Sequence, residues 1–215
     1  MTPAQCVVAS GNAGKLRELQ ALLAPFGMQT VAQGELGIKA PPEPHPTFIE
    51  NALVKARHAS QQSGLAAVAD DSGICVPALG GDPGVYSARF AERAGAGQGD
   101  ADNNRHLIAR LDALGDKSGK NNAYYVCALV WLAHAEDPLP LIALGLWHGE
   151  IIAEPRGSGG FGYDPHFFLP ELDCTAAEMT AADKNRISHR GQAMQQLQAQ
   201  LTARLHDAGG APGHG

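Results

Sequence analysis

The sequence predicts an α/β fold, a mixed β-sheet flanked by helices, forming one compact unit over residues 1–207 of a 215-residue chain. Three observations carry this prediction. Apolar runs alternate with helical patterns through the first half, two long β-rich runs at 122–134 and 140–152 follow, and no linker or internal repeat interrupts them.

The first apolar run, QCVVA at 5–9, meets Ser10-Gly11-Asn12. Leu16, Leu19, Leu22 and Leu23 then recur at helical spacing until Gly27 supplies a stop. Residues 37–48, GIKAPPEPHPTF, hold too much proline to continue either element. Thr47 stands three residues before Glu50, a capping box opening a helix with Ile49, Ala52, Leu53 and Ala56 on its apolar side and Gly64 at its end. The run LAAVADDSGI at 65–74 reads as a strand that ends at two aspartates, and 78–90 as a glycine-rich loop. A helix over about 101–114 follows, with Leu107, Ile108, Leu111 and Leu114 on one side. The two β-rich runs flank the turn residues AEDPLP and form an antiparallel hairpin. Beyond the loop RGSGGFGYDPHFFLP, Thr175 and Glu178 pattern a second capping box. A last helix from about Ser188 turns Met194, Leu197, Leu201 and Leu205 inward, and the Gly-rich stretch 208–215 reads as a disordered tail.

With 44% hydrophobic and 18% charged residues the chain has the composition of a folded globular protein. A net charge of -6 argues against the broad basic surface that holds nucleic acid, so any bound anion must meet local positive charge. Cys6, Cys75, Cys127 and Cys174 are scattered without a C-x-x-C pair, as buried free thiols in a reducing cytoplasm would be. The start of the chain lacks a charged leader backed by an apolar stretch, and no run approaches the roughly 20 apolar residues of a membrane span. The expected location is the cytoplasm, with no membrane partner.

Four stretches carry candidate chemistry. In SGNAGK, Ser10 to Lys15, Ala9 stands where a P-loop needs its first glycine and Leu16 where it needs a hydroxyl, and the glycines do not form G-x-G-x-x-G. Backbone N–H groups freed by Gly11 and Gly14, the positive end of a helix, the Asn12 amide and the Lys15 ammonium suit a phosphate, and equally an ordinary tight turn with a solvated lysine. Asp70 and Asp71, followed by Ser72, bring two carboxylates together. They repel unless a cation or donor lies between them, which suits Mg²⁺, or they cap a turn above Gly73. Glu43 or Glu50 could add a third carboxylate. The stretch GSGGFGYDP at 157–165 sets Phe161 and Tyr163 among glycines ahead of Asp164, fitting a planar base on a ring or aromatic packing on the domain. Lys184, Arg186, His189 and Arg190 gather positive charge in DKNRISHRG, or form a solvated helix start. No G-x-S-x-G elbow and no zinc spacing of His or Cys occurs.

Taken in order, SGNAGKLREL, TFIENALVKARHAS, VADDSGICVPALGGDPGVYSARF, GGFGYDPHFF and TAAEMTAADKNRISHRGQA resemble the inosine triphosphate pyrophosphatases, the XTP/dITP diphosphatases, and their bacterial members most of all. The resemblance spans about residues 5–200. It implies a homodimeric α/β protein with an elongated mixed sheet and a cleft between two lobes. It further implies Mg²⁺-dependent hydrolysis of dITP, ITP and XTP to the monophosphate and pyrophosphate, which cleanses the nucleotide pool. Carried over by position, Ser10, Gly11, Asn12, Ala13, Gly14 and Lys15 match the triphosphate-binding turn. Asp71 matches the proton acceptor and metal ligand, with Asp70 beside it and Ser72 against substrate. Phe161, Gly162, Tyr163, Asp164, Lys184, His189 and Arg190 match the segments that contact the nucleotide and its base. The chain departs from the family pattern at Pro42-Glu43-Pro44-His45-Pro46-Thr47, where Glu43 supplies one carboxylate to the metal and a second is missing. Base choice is expected to turn on O6 of hypoxanthine or xanthine, met by His189 and backbone N–H groups near Phe161, donors that would clash with the amino group of adenine. Two other readings remain at this point: a house-cleaning pyrophosphatase for pyrimidine or methylated nucleotides, and a nucleotide-binding regulator without catalysis.

Overall fold

The computed structural model describes residues 5–209, so residues 210–215 of the Gly-rich tail lie outside the described part. Its strands are β1 (Gln5–Val8), β2 (Gln29–Ala32), β3 (Ala66–Cys75), β4 (Asn122–Leu132), β5 (Leu141–Ile151), β6 (Phe167–Leu169) and β7 (Cys174–Thr175). Its α-helices are α1 (Ala13–Leu23), α2 (Phe48–Ser63), α3 (Phe90–Arg93), α4 (Asp100–Asp112), α5 (Ala181–Ile187) and α6 (His189–Gly209). The seven strands hydrogen-bond in the order β2-β1-β3-β4-β5-β6-β7. β1 runs parallel to β2 and β3, while β6 is antiparallel to β5 and β7, so the sheet is mixed as expected.

The chain groups into two compact units. One comprises the residues up to Asp71, Ala128–Leu144 and those from Ala193 on; the other comprises Ser72–Cys127 and Gly145–Gln192. The chain passes from one to the other inside β3, β4, β5 and α6, which is why no linker is visible in the sequence.

In the first unit Cys6, Val7 and Val8 of β1 are fully buried, the continuous apolar signature of a parallel strand covered on both faces. Ala52, Ala56 and Ala59 of α2 pack with Val7, Ala9, Ala67, Ala69, Ala128, Val130 and Leu132, small side chains that let helix and sheet approach closely. The capping box forms at Thr47, whose Oγ1 accepts the Glu50 N–H at 3.3 Å and donates to the Glu50 carboxylate at 2.5 Å. Helix α2 ends at Gly64 in the left-handed region, as the sequence indicates.

The turn between β4 and β5 is ordered by Asp137, only 1% exposed, whose carboxylate accepts the N–H groups of Ala133 at 3.0 Å and Leu139 at 2.9 Å and pairs with Arg204 at 3.1 Å. Burial alone would raise its pKa, but the two N–H donors and the Arg204 guanidinium outweigh burial and hold it below the ordinary value. Its stabilising effect is therefore complete above the unfolded pKa near 4 and is lost as pH falls through the lower folded value. Asp137→Asn is expected to cost about 1–2 kcal/mol at pH 7 and to shrink the acid-dependent part of the loss, read from urea melts at pH 7 and pH 3.

The second unit is built on Ile74, Val76, Phe90, Leu107, Leu111, Tyr125, Trp147, Ile151, Tyr163, Phe167 and Leu169. The free thiols of Cys6 and Cys75 are buried, which pushes them up to about 12 and about 11, far from reactive thiolates.

Three expectations are corrected. Strand β3 does not stop at Asp70 and Asp71 but carries them in its interior and runs to Cys75. Thr175 and Glu178 do bond, Glu178 Oε2 accepting the Thr175 N–H at 2.8 Å, but Thr175 lies in β7; helix α5 is capped instead by Thr180, whose Oγ1 accepts the Asp183 N–H at 3.1 Å. Leu197 and Leu201 are buried on α6, whereas Leu205, one turn further on, is exposed.

Candidate active site

The glycine turn after β1 delivers α1 with Asn12 as its N-cap. Asn12 Oδ1 accepts the N–H groups of Gly14 at 2.8 Å and Lys15 at 3.1 Å, and Ser10 Oγ accepts that of Asn12 at 3.2 Å. These amides are thus engaged within the turn, and its positive group is the Lys15 ammonium, which is held on Asp70. Lys15 Nζ lies 2.6 Å from Asp70 Oδ2, on a carboxylate only 2% exposed.

Asp70 and Asp71 are adjacent in the interior of β3, and Asp70 pairs with Lys15 while Asp71 pairs with a second lysine. Asp71 meets Lys55 of α2, with Nζ 2.9 Å from Asp71 Oδ1 and 3.1 Å from Glu43 Oε1. Three carboxylates thus face two ammonium groups, leaving one net negative charge. Burial pushes the Asp71 carboxyl above the usual carboxylate range, Glu43 pushes it the same way, and Lys55 and Lys15 oppose them. Burial alone would lower the Lys55 ammonium, but Asp71, Asp70 and Glu43 outweigh it and hold the group above its ordinary value. The proline-rich segment carrying Glu43 has few N–H groups to bond with. Asn51 of α2 secures it by accepting the His45 N–H and donating to the His45 carbonyl, both at 3.1 Å.

In the second unit the stretch 157–165 separates its two aromatic rings: Phe161 is 58% exposed, while Tyr163 is core and donates from its hydroxyl to the Ser87 carbonyl at 2.8 Å. Buried Asp164 organises this loop, accepting the Phe161 N–H at 2.8 Å, the Tyr125 hydroxyl at 3.3 Å and the Lys184 ammonium. Lys184 Nζ also stands 5.3 Å from the Phe161 ring centre, a cation–π arrangement. Gly160 has φ +74°, and a Cβ there would lie 2.0 Å from Asp164 Oδ2, so only glycine admits that carboxylate. His189 and Arg190 open α6, both largely buried. The imidazole stacks on Tyr125 at 4.7 Å and 9° and lies 6.3 Å from Trp147. Arg190 donates to Ser72 Oγ at 3.4 Å.

The predicted residues therefore gather in two sets, Lys15, Asp70, Asp71 and Glu43 in one unit and Ser72, Phe161 to Asp164, Lys184, His189 and Arg190 in the other. Sequence reasoning missed Lys55, Asn51, Tyr125 and Trp147. The signal for the first two was present: Asn51 and Lys55 fall four residues apart within the apolar stripe of α2, where a polar side chain needs a partner.

Comparison with known proteins shows the family of the chain as a whole. Over 195 residues the chain is 58% identical to the dITP/XTP pyrophosphatase of Ralstonia nicotianae, covering 91% of this chain and 95% of that protein. It is 57% identical to the dITP/XTP pyrophosphatase of Nitrosomonas europaea over 196 residues, 91% of this chain and 93% of the other. Among solved structures, a HAM1 protein from Coxiella burnetii superposes with a TM-score of 0.87 at 44% identity, covering 93% of this chain and 99% of that one. A nucleoside-triphosphatase / dITP/XTP pyrophosphatase from Mycobacterium abscessus gives 0.73 at 37% identity, covering 92% and 99%. The family model described as the Ham1 family matches residues 6–200, nearly the whole described chain, and the chain belongs to that family.

Proposed function

We propose that the protein hydrolyses non-canonical purine nucleoside triphosphates, dITP, ITP and XTP, to the monophosphate and pyrophosphate. The observation that carries this is the buried cluster of Asp70, Asp71 and Glu43 with Lys15 and Lys55. The identity with relatives named dITP/XTP pyrophosphatases supports the substrate class.

In this reading Lys15 and Lys55 bind and neutralise phosphate oxygens, and Ser10 to Gly14 shape the turn that presents Lys15. Asp71 orients the attacking water and takes its proton at a carboxylate oxygen. A carboxyl raised by burial is a better base than one at the reference value near 4. Phe161, Lys184, His189 and Arg190 bind the base, with Asp164, Tyr163 and Gly162 bracing the loop, since the Gly162 N–H expected to face the base is taken by Asp100, and Ser72 is steadied by Arg190. The rings under His189 fix the plane in which it meets the base edge.

A divalent cation fits the donor set: Glu43 and Asp71 already converge on one positive nitrogen, through the hard oxygens that Mg²⁺ prefers. Among the described residues no three His, Cys, Asp or Glu side chains gather as a ligand set. Asp71 and Glu43 would hold the ion, with Asp70 near it and the remaining positions left to water and phosphate oxygens. When bound, the cation supplies charge neutralisation on the phosphate chain. The same reading carries a homodimer and a cytoplasmic location, the latter supported by four cysteines that stand as thiols outside any disulfide.

The test is pyrophosphate release from dITP, XTP, dGTP, dATP and dTTP, with Mg²⁺ and with EDTA. Release confined to dITP and XTP, and lost in EDTA, is the expected result. Inert dITP and XTP would overturn the reading, and a lead for dTTP or dGTP would overturn the account of base choice.

A further inference from the structure

Phe161 presents a large apolar ring to solvent, yet the backbone that carries it is tied down residue by residue. Asp164 accepts the Phe161 N–H, and the next peptide is gripped from α4. Asp100 Oδ2 accepts the Gly162 N–H at 2.7 Å, and Asn104 Nδ2 donates to the Gly162 carbonyl at 2.9 Å. Asp100 and Asn104 are four apart, so both reach the loop from one helix face. Asn103, beside them, turns elsewhere and bonds the Ala91 N–H at 2.8 Å and the Ala88 carbonyl at 3.2 Å, seating α4 against its neighbours. Tyr163 completes the series through Ser87.

A loop with glycines at 157, 159, 160 and 162 has much backbone freedom to lose on ordering. If that ordering were left to the moment of binding, it would weaken affinity. We propose that Asp100 and Asn104 are positioning residues for purine recognition: their double grip on Gly162 presets the Phe161 ring for stacking on the base. The inference rests on the functional reading above. Neither side chain touches substrate; both act through Phe161.

An action confined to base binding appears in KM and leaves kcat in place. With dITP as substrate, Asp100→Ala and Asn104→Ala are each expected to raise KM about tenfold with kcat within about twofold of the parent. Asp100→Asn keeps an oxygen that accepts the Gly162 N–H and is expected to stay within about twofold in KM. In a Phe161→Ala background Asp100→Ala should raise KM no further, since the ring through which it acts is gone. An unchanged KM in both alanine variants, a KM effect of the same size without the ring, or a loss confined to kcat and thermal stability would each overturn the inference. A parent inert toward dITP sinks the functional reading and this inference with it. An active parent with unmoved KM values in the variants sinks the inference alone.

Discussion

Asp71→Asn is expected to lower kcat for dITP about a thousandfold while the protein stays folded, as read by pyrophosphate release and a thermal melt. Loss of a positioned base accounts for about 10²–10⁴ in rate. The substitution also removes a buried negative charge from a cluster in which Lys55 lies between Asp71 and Glu43. Asparagine is nearly isosteric and still offers an oxygen to Lys55, so the fold retains its packing. A kcat within tenfold of the parent would sink the assignment of Asp71 as the base.

Lys55→Met is expected to cost about 3 kcal/mol of stability at pH 8 in EDTA, because breaking a buried ion pair leaves uncompensated charge behind. Here two carboxylates, Asp71 and Glu43, lose the ammonium they share. Burial and Glu43 already raise the Asp71 pKa, and Lys55 is the foremost opposing influence, so its removal raises that pKa further. A carboxyl with a raised folded pKa destabilises most when charged. The penalty is therefore full above that folded pKa and shrinks as pH falls through it toward the unfolded value near 4. Urea melts of parent and variant at pH 8 and pH 5 should show the difference narrowing, and Mg²⁺ at pH 8 should narrow it too. A difference that is constant with pH and indifferent to Mg²⁺ would mean that Lys55 contributes by packing alone.

The sequence made legible what local patterns encode. The glycine turn into α1, the capping box at Thr47, the alanine face of α2 and the paired strands β4 and β5 could all be read from spacing and turn chemistry. Strands β2, β6 and β7 could not, because two to four residues are too few for a period to show, and their pairing is set by partners distant in sequence. The same limit explains the misplaced end of β3: two adjacent aspartates look like a strand terminus until Lys15 and Lys55, supplied by separate helices, are seen to neutralise one each. At the site the charged residues other than Lys55 stood out, whereas most of the residues that hold them did not. Tyr125, Asp100 and Asn104 lie in ordinary helix and strand patterns, and their hydrogen bonds to Asp164 and Gly162 set them apart.

The passage of the chain between its two units inside β3, β4, β5 and α6 bears on its heredity. A modular protein can exchange a domain by recombination in a linker, but here a crossover at any unit boundary would cut a strand or a helix. Neither unit can be traded alone without severing the other's backbone. Divergence in such a chain is left to point substitution, and artificial splitting of the gene has its natural place in the exposed residues 115–119, between α4 and β4.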